Sequence, residues 1–377
     1  MSIAKPLPGG TSSCAQPRVR QTQLLLAARG QALKILLSSL LVGCAATAGF
    51  AVPDPVESLA SFSAFRSVDS ARLVNGDILG ERGSLMDFPQ GIAAQTCFVL
   101  PVTAAEAAQR LQTWDPSHHE ALNVLAFGPI SLPCQGADFA SLDLKSSNHA
   151  LRWLLDKSLA TTTGKSELNL TRDETRQLAD CAKGNPAPQA VSACWAKLLL
   201  QRVTIFQRQG FAAVPPYENS GKTISPADQL QAMLREKTAV TREFAPLLMQ
   251  SGVLGHEPAQ TLTPFYYWGL CEANHHGMLY LSAAYLLPLG DRYQLLKAEY
   301  YVSGTYYTSV TLFQIWPIQV GEKSGALVWR GDFYAAPTLA LTQGIDRLAT
   351  GAIMLQELKK AIRCFQADVI AKRLTRN

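Results

Sequence analysis

The chain of 377 residues is 47% hydrophobic and 17% charged, enough apolar material for a large core and too ordinary a balance for disorder. Its formal charge of +5 is concentrated in Lys5, Arg18, Arg20, Arg29 and Lys34, with no acidic residue before Asp54, so the rest is near neutral (+5 − 5 = 0). With no basic stripe interleaved with aromatics, this balance speaks against a nucleic-acid partner.

Residues 1–51 read as an export signal. A basic stretch ends at Lys34, an apolar run covers 35–42, and small residues precede Val52. The apolar run is too short to span a bilayer, which takes about 20 such residues. Cleavage is therefore expected, at Ala46-Thr47-Ala48 or after Gly49-Phe50-Ala51. A second fate stays open, because Leu41-Val42-Gly43-Cys44 resembles a bacterial lipobox in which Cys44 is lipid-modified and attaches the chain to a membrane. An uncleaved anchor is the third. Each fate places the protein in the periplasm or cell envelope, the lipidated form at the outer membrane.

Residues 52–91 form a lead-in broken by Pro53, Pro55, Gly76, Gly80, Gly83 and Pro89, with poor order expected as far as Leu73. From there, 92–377 is expected to form a single domain. A strand over 92–100 leads into Thr103, placed to cap a helix with Glu106 three residues on, and this helix should stop near Trp114-Asp115-Pro116. A short strand over 122–127 is closed by Gly128-Pro129. Between 147 and 250 the apolar residues recur at helical spacing, giving an insertion of about four helices. Thr171 with Glu174 and Ser225-Pro226 mark helix starts, and Val214-Pro215-Pro216-Tyr217 is an extended link.

Five aromatic and β-branched runs follow, at 265–271, 278–287, 293–302, 305–316 and 326–334. The connections are too short for parallel crossovers, so the strands should pair antiparallel. The run at 278–287 is apolar on both faces and must be covered on both. One long helix closes the chain, with Ile345, Leu348, Ala352, Leu355, Leu358, Ile362, Phe365 and Val369 on one face.

Eight cysteines are present, two of them (Cys14 and Cys44) in the leader. An even six remain, which permits disulfides in an exported protein. Cys181 and Cys194 bracket the turn Gly184-Asn185-Pro186-Ala187-Pro188 and are the best candidate pair, stapling a helical hairpin. Cys97 and Cys134 can pair only if their segments are neighbours, and Cys271 and Cys364 read as small buried residues.

Strand, helix, strand, helical insertion, five antiparallel strands and a long C-terminal helix describe an α+β fold. That order, carried by 92–130 and 264–374, resembles the helix-grip (START and Bet v1-like) superfamily. The resemblance implies a curved antiparallel sheet wrapped on the C-terminal helix around a cavity, with the helical insertion between early and late strands as a departure. Trp329-Arg330-Gly331-Asp332-Phe333 and the helix after it also look like uncharacterised exported proteins of Gram-negative bacteria.

Motifs for chemistry are sparse. Gly164-Lys165-Ser166 and Gly221-Lys222-Thr223 match only the tail of a phosphate loop, since Leu159 and Pro216 stand where its first glycine belongs. No nucleophile elbow or dinucleotide fingerprint occurs. His118, His119 and Glu120 lack the spacing of a helical metal site, and His275-His276 reads as a solvated turn, so no metal or cofactor is assigned. Aromatic crowding in the late strands is the strongest signal, and Tyr280, Tyr285, Tyr301, Tyr306, Trp316, Trp329 and Phe333 are the candidate cavity wall for a lipid-like or other amphiphilic ligand. The alternative role is a structural or assembly factor meeting an envelope protein through the insertion. Lys297 and Glu299 share a face by alternation with Tyr301 and are expected to point outward, leaving no catalytic pair; Arg330 and Asp332 read as an exposed charge pair.

Overall fold

The computed structural model describes residues 54–83, 86–145, 148–163, 166–184, 186–219, 221–255, 261–342 and 344–374. The leader and Cys44 lie outside the described residues.

Asp54 opens α1 (Pro55–Phe62), its Oδ1 accepting from the Val56 N–H at 2.9 Å with Pro55 in the first turn. Asp69 caps α2 (Ser70–Val74) in the same way. The lead-in is therefore not loose as far as Leu73: Leu59, Phe62, Phe65 and Leu73 are all buried. Burying those four apolar side chains, about 1.5–3 kcal/mol each, outweighs the breaks in the sequence.

A short strand β1 (Leu79–Arg82) and β2 (Gly91–Leu100) precede α3 (Ala104–Thr113), which Thr103 caps and which ends at Trp114 as expected. The next strand, β3 (Val124–Ile130), runs through Pro129 instead of stopping at it. It lies at a sheet edge, where a missing N–H costs no ladder bond.

The insertion holds six helices and a small hairpin: α4 (His149–Ala160), α5 (Arg172–Cys181), α6 (Pro188–Gln209), β4 (Tyr217–Asn219), β5 (Lys222–Ile224), α7 (Pro226–Arg235), α8 (Thr238–Glu243) and α9 (Ala245–Gln250). Periodicity alone merges the last three, which are separated by an irregular Lys237 and by Pro246 in the first turn of α9. The link at Tyr217 forms the hairpin.

Strands β6 (Phe265–Ala273), β7 (His276–Leu289), β8 (Arg292–Val302), β9 (Thr308–Val320) and β10 (Lys323–Ala335) follow, and α10 (Gly344–Leu374) ends the chain. Between β6 and β7, Asn274 and His275 both take positive φ, the conformation that matches hairpin twist. The eight-stranded sheet is open and antiparallel throughout, in the order β1-β2-β10-β9-β8-β7-β6-β3.

Both faces of the sheet are roofed. On one, Phe98, Leu100, Tyr267, Met278, Tyr280, Leu295, Phe313 and Val328 pack under α3 and α10. On the other, Leu279, Leu281, Tyr285, Leu296, Leu312, Trp316, Trp329 and Phe333 pack under α1 and the insertion. This answers the apolar pattern on both sides of β7. Gly277 allows the closest approach, since a Cβ there would stand 2.3 Å from the Ala150 carbonyl oxygen in α4.

Only half of the α10 stripe is used. Leu358, Ile362, Phe365 and Val369 are buried, whereas Ile345 is 82% and Leu348 44% exposed. The helix follows the direction of β2, with Arg347 bonded to the Gly91 carbonyl and Gln366 to the Val99 carbonyl. Over those spans α10 rises about 28 Å and β2 about 26 Å, so the two lie side by side. Asp368 then accepts from the Trp114 indole N–H at 2.8 Å and sits 2.9 Å from His119 Nε2, tying the C-terminal turns to the segment after α3.

The insertion is fastened by two bonds that bracket α5. Cys181 and Cys194 form a disulfide between α5 and α6, with Cα atoms 6.5 Å apart. Cys97, Cys134, Cys271 and Cys364 are free thiols, so Cys97 and Cys134 do not pair. At the other end of α5, Thr171 and Glu174 complete a capping box, and Glu174 pairs with Arg202 of α6 at 2.6 Å. The Arg202 guanidinium lies 4.1 Å above the Tyr301 ring, joining the insertion to the sheet.

Both partners of the Glu174–Arg202 pair are almost fully buried. Arg202→Met should therefore cost about 3–5 kcal/mol in urea unfolding, since it strands a carboxylate in the interior. Adding Glu174→Gln to that variant should restore part of the loss; no recovery in the double variant would show that the charge pair is not the source.

Candidate functional site

The side chains that converge in this structure are ones that alternation alone aims at solvent. On β8, Lys297 and Glu299 point under α3 and α10, not outward, and Arg330 and Asp332 on β10 do the same. Asp332 is fully buried and the Arg330 side chain is 16% exposed, so this charge pair is interior. The reason is the roof: with both faces covered, the polar positions of a central strand have no solvent side to take.

A β-bulge explains the rest of the difference. Leu281 stands opposite Tyr301 while Ser282 stands opposite Glu299, which leaves Tyr300 as an extra residue in β8. Alternation reverses there. Tyr301 therefore faces Arg202 and the insertion, Tyr300 stacks on Phe206 at 3.7 Å, and Lys297 and Glu299 remain on the opposite face.

Between this face and the two helices lies a cavity of about 140 Å³. Phe98, Phe127, Tyr267, Tyr280 and Phe313 line it from the sheet, Leu111 from α3, Trp114 just beyond it, and Ala361, Ile362 and Phe365 from α10. Small residues make the space: Lys297 is flanked across the ladders by Ala284 and Thr311, and Glu299 by Ser282 and Ser309. α3 brings Ala104, Ala107 and Ala108 to the interior. The Tyr280 ring lies across β6 because Gly269 has no side chain; a Cβ there would fall 2.2 Å from the phenol oxygen.

One end of the cavity is polar. Glu299 Oε2 accepts from Tyr306 Oη at 2.5 Å and from Ser309 Oγ at 2.7 Å. Arg330 forks onto Asp332 with bonds of 2.7 and 2.8 Å, and Thr311 donates to the same carboxylate at 2.9 Å. Lys297 differs from all of these. Among the described residues its Nζ has no hydrogen bond or ion pair, only the Tyr267 ring face 5.7 Å away.

Burial governs the electrostatics. It lowers the Lys297 amine from 10.5 to about 7, assisted by the positive Arg330 and opposed by Glu299. It raises the Glu299 carboxyl above the usual range, with Asp332 adding to the rise while the Tyr306 and Ser309 hydrogen bonds and Lys297 oppose it. The Tyr280, Tyr306 and Tyr334 hydroxyls are pushed well above the ordinary value by burial and stay neutral. Both Lys297 and Glu299 keep some accessible surface, and it faces the cavity.

Of the seven aromatic residues expected to form a cavity wall, Tyr280 lines this space and Tyr306 holds Glu299 beside it. Tyr285, Tyr301, Trp316, Trp329 and Phe333 pack on the opposite face under α1 and the insertion. The residues that sequence reasoning passed over are Lys297, Glu299, Arg330 and Asp332. Their signal was available as two charge pairs at spacing two, each inside a strand with apolar residues on both sides. His118 stands 3.4 Å from Asp115 and His119 pairs with Asp368, while His276 stacks on Trp153 at 4.1 Å. Among the described residues no group of three or more His, Cys, Asp or Glu is placed to hold a metal. In comparisons with known proteins, no family model, no curated protein and no solved structure matches the chain.

The lowered amine sets a pH dependence. Between about pH 7 and 10.5 the unfolded chain holds a proton that the folded chain does not, so stability rises with pH across that window. Below pH 7 the cost of burying the charge is felt in full. Lys297→Met should accordingly raise the urea midpoint at pH 6, with the gain shrinking toward pH 9.5. A gain that stays constant with pH would mean that folding does not shift the amine, and one that grows with pH that the folded protein favours the ammonium.

Proposed function

We propose that the protein binds a small molecule with an apolar body and a polar head in the cavity between the sheet and helices α3 and α10. The observation that carries this reading is the division of one partly open cavity into an aromatic and aliphatic wall and a polar side at Lys297, Glu299 and Arg330. Ligand sites are commonly concave and mostly apolar with a few placed polar groups, and perturbed titratable residues concentrate there. The likeness in element order to the helix-grip superfamily supports the same reading, because members of that superfamily hold ligands between sheet and C-terminal helix.

Volume limits the occupant. An apolar cavity of about 150 Å³ accepts benzene, so roughly six to eight non-hydrogen atoms fit a space of about 140 Å³. A short amphiphile suits the space better than an intact lipid. An exported protein is the accompanying proposal, supported by the leader pattern of residues 1–51 and by the Cys181–Cys194 disulfide, a bond that persists in oxidising compartments. No helix among the described residues is long and apolar enough to cross a membrane.

Native mass spectrometry of protein purified gently from its own cells should show a small co-purifying species that solvent extraction removes. Ala361→Phe, which projects a ring into the cavity from α10, should lose that species while keeping the wild-type circular dichroism spectrum. Retention of the species by a folded Ala361→Phe protein would place the ligand elsewhere. Fractionation should find the chain in the envelope, and if Cys44 carries lipid, Cys44→Ser should release it from the membrane fraction.

A further inference from the structure

The geometry points to a small aldehyde or ketone as the occupant of this cavity, held by a reversible imine bond to Lys297 Nζ. This rests on the cavity reading above and gives the polar head a chemical identity.

Three observations carry it. The Lys297 amine faces the cavity without a hydrogen bond or ion pair among the described residues, whereas each neighbouring charge is engaged. Arg330 is locked onto Asp332 by two bonds, so it does not pair with Glu299, and its positive field bears on Lys297. Glu299 follows two residues along the same strand face, about 7 Å away along the backbone, within side-chain reach of a group bonded to the amine. An amine crowded by another cation in a mostly apolar pocket is an arrangement that makes lysine a nucleophile at neutral pH.

The chemistry closes without any further reagent. The neutral amine attacks the carbonyl carbon, the C–N bond forms, and the π pair moves to oxygen, which takes the proton that the now positive nitrogen gives up, leaving a neutral carbinolamine whose nitrogen has its lone pair back. Glu299 as carboxylic acid protonates the departing hydroxyl, the C–O bond breaks with loss of water, and the nitrogen lone pair forms C=N. The Glu299 carboxylate then recovers a proton from nitrogen. Nothing is oxidised or reduced, and the sum is amine plus carbonyl giving imine plus water.

The titratable groups that bear on the amine are Glu299 on its own strand, Tyr267 from β6, Tyr280 from β7, and Arg330, Asp332 and Tyr334 from β10. The helices and the residue that ends α3 present Leu111, Trp114, Ala361, Ile362 and Phe365 to the space, and no charge. The half-maximum of imine formation should therefore fall near pH 7, where the amine loses its proton.

Butanal with cyanoborohydride at pH 7 tests this in the full-length protein. One butyl adduct should form, map to Lys297 by peptide sequencing, and appear on the order of a hundred times faster than adducts on exposed lysines, which are almost wholly protonated at that pH. Lys297→Met, which removes a buried charge and so should fold, must lose the fast adduct. A parallel titration with 1-butanol, followed by thermal shift in wild-type and Ala361→Phe protein, reports cavity binding without covalent chemistry. Butanol binding that Ala361→Phe abolishes, with Lys297 no faster than the surface lysines, overturns the imine and leaves the cavity reading standing. If neither butanol nor butanal binds, both readings fall.

Discussion

Coverage of the sheet on both faces is the constraint from which the rest of the structure follows. A strand that meets solvent on one side can send its charged residues there. The central stretches of β7 to β10 have no such side, so their residues are committed to one of two interiors by parity. The extra residue at Tyr300 then reassigns the end of β8. Without it, Tyr301 would face the cavity, and Arg202 would lose the ring on which it rests.

Six charged groups within the two interiors are handled in two ways. Arg202 with Glu174, and Arg330 with Asp332, are each neutralised by a close partner, and their strength lies in geometry. Lys297 and Glu299 lack such a partner in each other, and burial pushes both toward their neutral forms. A group kept neutral by its surroundings can still exchange a proton, whereas one locked in an ion pair serves mainly as a fixed charge. The contrast separates the parts of the interior that hold the fold from the part that can react.

Much of the architecture was legible because it depends on local patterns. The late strands appear where aromatic and β-branched runs stand, β8 at Arg292–Val302 against an expected 293–302. The Cys181–Cys194 bridge follows from two helical stretches meeting at a proline-rich turn. Facing was harder to read. Counting by twos cannot see a bulge, and the ordinary preference of lysine and glutamate for solvent argues for the wrong side of β8. Crowding of aromatics gave no hint that Tyr285, Trp316, Trp329 and Phe333 and the cavity-lining Tyr280 belong to opposite faces, because two alternating sets interleave in one stretch. The α10 stripe misled for a related reason: helical periodicity shows which side is apolar but not how closely each of its turns is covered.

The alanine face of α3 has an evolutionary implication. Ala107 and Ala108 are fully buried methyl groups that let the helix settle close over the sheet, while the charged groups below belong to β8 and β10. Capacity and reactivity are thus encoded in separate segments of the chain. A lineage that varied those methyls would reshape the ceiling of the chamber and change which guests fit, with the chemistry of its floor inherited unchanged.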